Sequence, residues 1–201
     1  MKTLCIIPVR SGSKRLPDKA ILPFAGTTLL EITCRQAIRL KWMKDQLFDD
    51  IVFSSDSLSY LQLASESDIT DLRHRPPELA TDTADSIDVV RDALDWMEQV
   101  KSVKYDTVVL LQVTSPLRLD EDITGCIDIY ESVSWVHLKT MDDRTTMLNG
   151  AVYIWDRDVL VFKKDIIGNA IYMPPERSID IDTEFDFLVA QFVYTNNLHK
   201  V

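Results

Sequence analysis

The chain has 201 residues, 46% of them apolar, which is enough for one domain with a sizeable core and excludes a disordered protein. Its net charge of −10, from 22 cationic and 32 anionic side chains, argues against general nucleic-acid binding, which needs a basic face. Cys5, Cys34 and Cys126 are too widely spaced for a disulfide framework or a zinc site, and they fit a reducing compartment.

Residues 3–9 form an apolar run that reads as a short buried strand. That run is about half as long as a secretory h-region and leads straight into a basic loop, so it is not read as a signal peptide. No other run approaches the ~20 apolar residues of a membrane helix. We therefore expect a cytoplasmic protein with neither a membrane nor a nucleic acid as partner. Residues 28–42 predict an amphipathic helix capped by Thr27 or Thr28, followed by a short strand at 51–53 and a helix at 58–64. Residues 86–99 carry Val89, Val90, Ala93, Leu94 and Met97 at helical spacing. The apolar run 108–111 reads as a buried strand, 120–131 as a helix opened by acidic groups, 151–154 as a strand and 183–196 as a closing helix. His74 falls in a loop, and His199 is expected to face solvent.

This alternation predicts an α/β fold: a mostly parallel, mixed sheet with helices on both faces, forming one domain over residues 1–201. Ligands of such sheets bind beyond the carboxyl ends of the strands. The loop after the first strand lies on that edge and holds Arg10, Lys14, Arg15 and Lys19 in ten residues of an acidic chain. Cations beside strand-end backbone N–H groups suit a polyphosphate. Its spacing is neither G-x-x-x-x-G-K-[ST] nor G-x-G-x-x-G. Arg10 and Lys19 are assigned to charge that builds on a transferred phosphorus and its leaving group, with Ser13 and Lys14 cradling the same polyphosphate.

Three further segments carry chemistry. Gln112 ends a central strand and has the donors and acceptor to orient a polyhydroxylated substrate. Nearby, Arg118 either binds substrate or pairs with Asp120 or Glu121. Asp180 and Asp182 alternate with isoleucines, so both carboxylates share one face of an extended segment and need a cation between them. Two hard oxygen ligands plus substrate phosphates are how Mg²⁺ is held. Around residues 75–86 a proline-braced loop enters a helix, with Asp82, Thr83 or Asp85 as its N-cap.

The stretch Ile6-Ile7-Pro8-Val9-Arg10-Ser11-Gly12-Ser13-Lys14-Arg15-Leu16-Pro17-Asp18-Lys19 resembles the N-terminal signature of the acylneuraminate cytidylyltransferases, the CMP-sugar synthetases. Ala20 stands where that family has asparagine. Segments 75–86, 111–118, 149–154 and 178–186 are similar to later motifs of the same family, in the same order. The resemblance implies a Rossmann-like nucleotidyltransferase domain that joins CTP to a nonulosonic acid, such as sialic or legionaminic acid, and releases pyrophosphate with Mg²⁺. It gives Arg75, Ala84 and Ser86 to the nucleotide, Gln112, Lys139 and Asn149 to the sugar, and Asp180 and Asp182 to the metal. A homodimer is implied too, although the dimerisation and sugar-site element near 131–148 is shorter than the family's. A trimmed pocket leaves two alternatives: an eight-carbon acceptor such as Kdo, or a silent CTP-binding relative.

Overall fold

Strand β1 (Thr3–Val9) lies at the centre of the computed structural model, which describes residues 1–44, 46–133, 137–162 and 169–200. Its side chains alternate between two cores, as extended backbone requires. Cys5, Ile7 and Val9 enter one, and Leu4 and Ile6 the other. β1 pairs in parallel with β2 (Asp50–Ser55), which pairs in parallel with β3 (Asp71–His74). On its other side β1 pairs in parallel with β4 (Thr107–Leu110). The sheet continues through β6 (Leu148–Asp156) to β5 (His137–Asp142) and β7 (Asn169–Met173). The full order is β3-β2-β1-β4-β6-β5-β7, and β6 runs against both its neighbours. The chain winds outward from β1 to β3 and then returns to β4, so the switch point lies between β1 and β4.

Helices α1 (Leu29–Lys41), α2 (Leu58–Glu66), α4 (Asp120–Ser132) and α6 (Glu184–Thr195) cover one face. α3 (Ser86–Lys101) and α5 (Arg157–Val161) cover the other. Local chemistry sets their starts. Thr28 accepts from the Glu31 N–H at the head of α1, and Asp85, of the three candidates, accepts from the Ile87 N–H at the head of α3. Thr183 and Asp186 form a reciprocal capping box on α6. No helix among the described residues is long and apolar enough to cross a membrane. All three cysteines are buried and free, and burial pushes the Cys34 and Cys126 thiols up to about 12, so neither is a thiolate nucleophile.

Some elements differ from the sequence reading. His74 ends the edge strand β3 rather than lying in a loop. Its segment Asp71-Leu72-Arg73-His74 has a single apolar residue, so pattern alone is silent there. His199 is buried, not exposed: its ring stacks on Tyr194 at 5.3 Å, because the chain folds back after α6. Within the segment 131–148, residues 134–136 lie outside the described residues. The rest is the end of α4, then β5, then a turn into β6.

Glu98 ties α3 to α5. It is buried and accepts two hydrogen bonds from Arg157, at 2.7 and 2.9 Å, while also pairing with Lys104. Burial works to raise its pKa, but the Arg157 and Lys104 hydrogen bonds outweigh it and pull it down to about 2. A carboxylate depressed below its usual 4.5 stabilises the fold above that value and loses the contribution as pH falls toward about 2. Glu98→Gln is expected to cost about 2 kcal/mol in urea unfolding at neutral pH, since Arg157 loses its charged partner. The cost should shrink between pH 4.5 and 2. A variant as stable as wild type at pH 7 would show that the pair contributes nothing.

Candidate active site

Beyond β1 the chain turns outward, and Ser11 fixes where it goes. Its N–H and hydroxyl both donate to Asp56, at 3.0 and 2.7 Å, tying the loop to the end of β2. Burial raises the Asp56 pKa, yet these hydrogen bonds outweigh it and hold the carboxyl ionised. The loop then lines a cavity of about 490 Å³ with Arg10, Ser13, Lys14, Arg15, Lys19 and Ala20. From the segment after β4 come Gln112 and Thr114, and from the segment before α6 come Asp180 and Asp182. Ala20 is buried in the wall. A second cavity of about 290 Å³ shares Arg10, Asp82 and Gln112, and adds Arg75, Ala84 and Ser86. Together they make one groove along the carboxyl edge of β1 and β4, at the switch point.

Each cation of the loop has an anionic partner. Arg10 and Lys14 both reach Asp82, at 2.6 and 2.5 Å. Arg15 and Lys19 both reach Asp182, at 2.7 and 3.2 Å, and Lys19 also donates to the Ile181 carbonyl at 2.6 Å. Four cations therefore meet three carboxylates in the larger cavity, counting Asp180. Asp180 is open to water but ringed by protein. Burial raises its pKa, a hydrogen bond with Thr114 opposes this, and the like charge of Asp182 raises it again, with a net upward shift. Among the described residues no group of three or more His, Cys, Asp or Glu side chains could hold a metal. Asp180 and Asp182 supply hard oxygens only, and a cation there would need its remaining ligands from substrate.

Arg75 is buried between strands. Its guanidinium donates to the Ser54 hydroxyl at 3.2 Å, the Ser54 carbonyl at 2.8 Å and the Val9 carbonyl at 3.4 Å. Burial lowers its pKa to about 10, and the charge of Asp56 opposes that. It thus braces β1 against β2 while one side lines the smaller cavity. Arg118 lines neither cavity of the groove and makes no ion pair with Asp120 or Glu121. It is buried and donates to the carbonyls of Gln112 and Ala151, the Gln36 side chain and the Thr33 hydroxyl. Asp120 is held by Arg39 instead, at 2.6 Å twice.

Lys139 and Asn149 line neither cavity. Lys139 lies in β5 between Tyr153 and Ala170. Asn149 is buried, and its amide is engaged: the oxygen accepts from Thr140 at 2.6 Å and the nitrogen donates to Ser178 at 3.0 Å. It braces β6 against β5 and the segment after β7. Tyr153 was not assigned from sequence. It stacks on Trp155 at 5.6 Å and stands close enough to Asp180 for that charge to help raise its pKa, after burial. Asp82 was legible only as a possible helix cap, because its pairing with Arg10 spans 72 residues.

A cytidylyltransferase family profile matches residues 4–186. The chain belongs to the cytidylyltransferase family. It is 33% identical over 226 residues to an N-acylneuraminate cytidylyltransferase of Streptococcus agalactiae, covering 94% of this chain and 52% of that protein. It therefore spans about half the length of that relative. It is 31% identical over 233 residues to a CMP-N,N'-diacetyllegionaminic acid synthase of Legionella pneumophila, covering 95% of each. Among solved structures, a CMP:2-keto-3-deoxy-manno-octonic acid synthetase complexed with CTP superposes with a TM-score of 0.70 at 13% identity, covering 98% of this chain and all of that one. A Mycobacterium tuberculosis protein solved with manganese gives 0.64 at 17% identity, covering 94% and 97%. Likenesses at that identity show the fold, which is the nucleotidyltransferase fold of the cytidylyltransferases.

Removing the Asp82 charge frees Arg10 and Lys14 for a polyphosphate. Asp82→Asn is expected to tighten binding of inorganic pyrophosphate about fivefold by calorimetry, the scale of one charge removed at short range in water. Weaker binding in the variant would mean that Asp82 serves the anion rather than competing with it.

Proposed function

We propose that this chain transfers CMP from CTP to the anomeric hydroxyl of a nonulosonic acid, releasing pyrophosphate. The observation that carries this reading is the single groove that collects Arg10, Lys14 and Lys19 opposite Asp180 and Asp182, with Gln112 at its seam. Membership of the cytidylyltransferase family supports the nucleotide, and the sialic and legionaminic relatives support the acceptor class.

In this reading the base and ribose occupy the smaller cavity beside Arg75, Ala84 and Ser86. The triphosphate lies along the larger one. Arg10 and Lys14 exchange Asp82 for phosphate oxygens, and Lys19 neutralises charge that develops at the α-phosphorus. Gln112 orients the attacking hydroxyl by hydrogen bonds. In-line attack forms the new P–O bond as the bond to pyrophosphate breaks, and the hydroxyl proton leaves to solvent. Asp180 and Asp182 would hold Mg²⁺, which polarises the phosphates and stabilises the leaving pyrophosphate when bound. The two-carboxylate donor set, open to water on the Asp180 side, fits a cation that takes most of its ligands from substrate.

A homodimer built on one catalytic domain per chain is part of the proposal. Leu148 and Tyr172 flank Met141 in register, and both are exposed, as is Met147. This apolar patch at the outer strands suits a second copy, and light scattering should give twice 23.0 kDa.

The central test is a pyrophosphate-release assay with CTP, Mg²⁺ and N-acetylneuraminic, N,N'-diacetyllegionaminic, pseudaminic and Kdo acids, with products read by mass spectrometry. Turnover of a nine-carbon acid supports the proposal. Turnover of Kdo alone would reassign the acceptor, and silence with all four in protein that binds CTP would refute the activity. Arg10→Ala and Asp182→Asn should each lower kcat by about 10²-fold or more without changing the thermal midpoint appreciably. Full activity in either variant would remove that residue from the mechanism.

A further inference from the structure

Gly150, the third residue of β6, has φ at +70°, in the left-handed region that other residues avoid. What fills the space above its Cα is more informative. A β-carbon there would lie 2.3 Å from Gln112 Oε1, 3.4 Å from Gln112 Cδ and 3.6 Å from Ser115 Oγ. The first distance is far inside contact, so the Gln112 amide rests directly on the glycine. The other coordinates of Gln112 are fixed independently. Arg118 Nη1 donates to the Gln112 carbonyl at 2.8 Å and to the Ala151 carbonyl at 2.9 Å. Ser115 Oγ donates to the Asn149 carbonyl at 3.1 Å. The backbones on either side of the contact are therefore pinned to each other. With both backbones held, a side chain on residue 150 has nowhere to push except against the amide of Gln112.

We propose that Gly150 is a positioning residue: its missing side chain is the seat that holds the Gln112 amide in the groove. The proposal rests on Gln112 orienting the acceptor, the reading given above. It assigns the Asn149-Gly150 pair a division of labour. Asn149 locks β6 to its neighbours through Thr140 and Ser178, and Gly150 leaves the space that Gln112 occupies. A methyl at residue 150 would swing the amide away from the groove, and displacement of about 1 Å in a substrate-orienting group costs rate steeply.

The test is a double-mutant cycle of Gly150→Ala and Gln112→Ala. Backbone strain at φ +70° is common to both backgrounds and cancels in the cycle, so the coupling reports the contact itself. In thermal unfolding without ligand, Gly150→Ala should lower the midpoint in both backgrounds through the shared backbone strain, and by a further increment in the wild-type background. Equal losses in both would overturn the proposal. Should Gly150→Ala fail to fold, Gly150→Asn, which tolerates the left-handed backbone, takes its place in the cycle with the same two outcomes. In kinetics with N-acetylneuraminic acid, or N,N'-diacetyllegionaminic acid if that is the acceptor turned over, Gly150→Ala should raise the acceptor KM about tenfold or more. Its CTP dissociation constant should stay unchanged. The same substitution should add less than about twofold to Gln112→Ala. Unfolding coupling together with unchanged acceptor kinetics in Gln112→Ala would retain the seat and instead refute the role given to Gln112.

Discussion

Arg118 carries a positive charge into the interior, and the carboxyl edge of the sheet is arranged around satisfying it. A buried guanidinium without acceptors is far too costly to persist. Four acceptors meet it here: the Gln36 amide at 2.9 Å, the Thr33 hydroxyl at 3.3 Å, and the carbonyls of Gln112 and Ala151. Burial draws its pKa down to about 10, countered by nearby acidic groups, so it stays charged at neutral pH. The two carbonyls belong to β6 and to the segment leaving β4. Helix α1 supplies the other two acceptors. One side chain thus fixes how the antiparallel strand meets the parallel half of the sheet, beside Gln112, which lines both cavities.

Electrostatics in the groove follows from the same economy of partners. Against an overall charge of −10, a loop with four cations would bind any anion, including its own chain. Asp82 and Asp182 take that position, each bridging two of the cations. Lys19 is the most enclosed of the four and holds a backbone carbonyl as well, so its ammonium is aimed before substrate arrives. Lys14 and Arg15 are the most exposed, and their pairs are worth the least in water. These pairs give the free protein a nearly neutral groove, and a polyphosphate gains the cations only by exchanging partners with the carboxylates.

Much of this was legible in the amino-acid order, and the parts that were not have physical reasons. Strands β1 and β4 are continuous apolar runs, and helices α1 and α3 show clear apolar periodicity with good caps, so pattern finds them. The cationic loop and the Asp180–Asp182 alternation stand out by residue type, and the fold brings them to one cavity. β3 and β7 lie toward the sheet edges with mixed, partly exposed side chains and no strong period. The burial of His199 depends on a ring of Tyr194 that only the fold brings against it. Arg118 is the sharper lesson. In sequence, an arginine beside Asp120 and Glu121 suggests a surface ion pair, but burial is decided by elements over 80 residues away.

Reversal of β6 explains why the Gln112 side of the groove reads less clearly than the cationic loop. The parallel strands deliver their carboxyl ends, with the loops that follow, to one edge. An antiparallel strand brings its beginning to that edge instead, so the Asn149-Gly150 pair near the start of β6 meets the residues after β4. A loop on a parallel strand can present long side chains to a ligand. A strand start packed beneath another segment acts by what it leaves out, and by bracing. That is why Asn149 is spent on Thr140 and Ser178, and why the informative residue beside it is the one without a side chain. Motif matching assigns such positions to the ligand, whereas packing assigns them to the side chains around them.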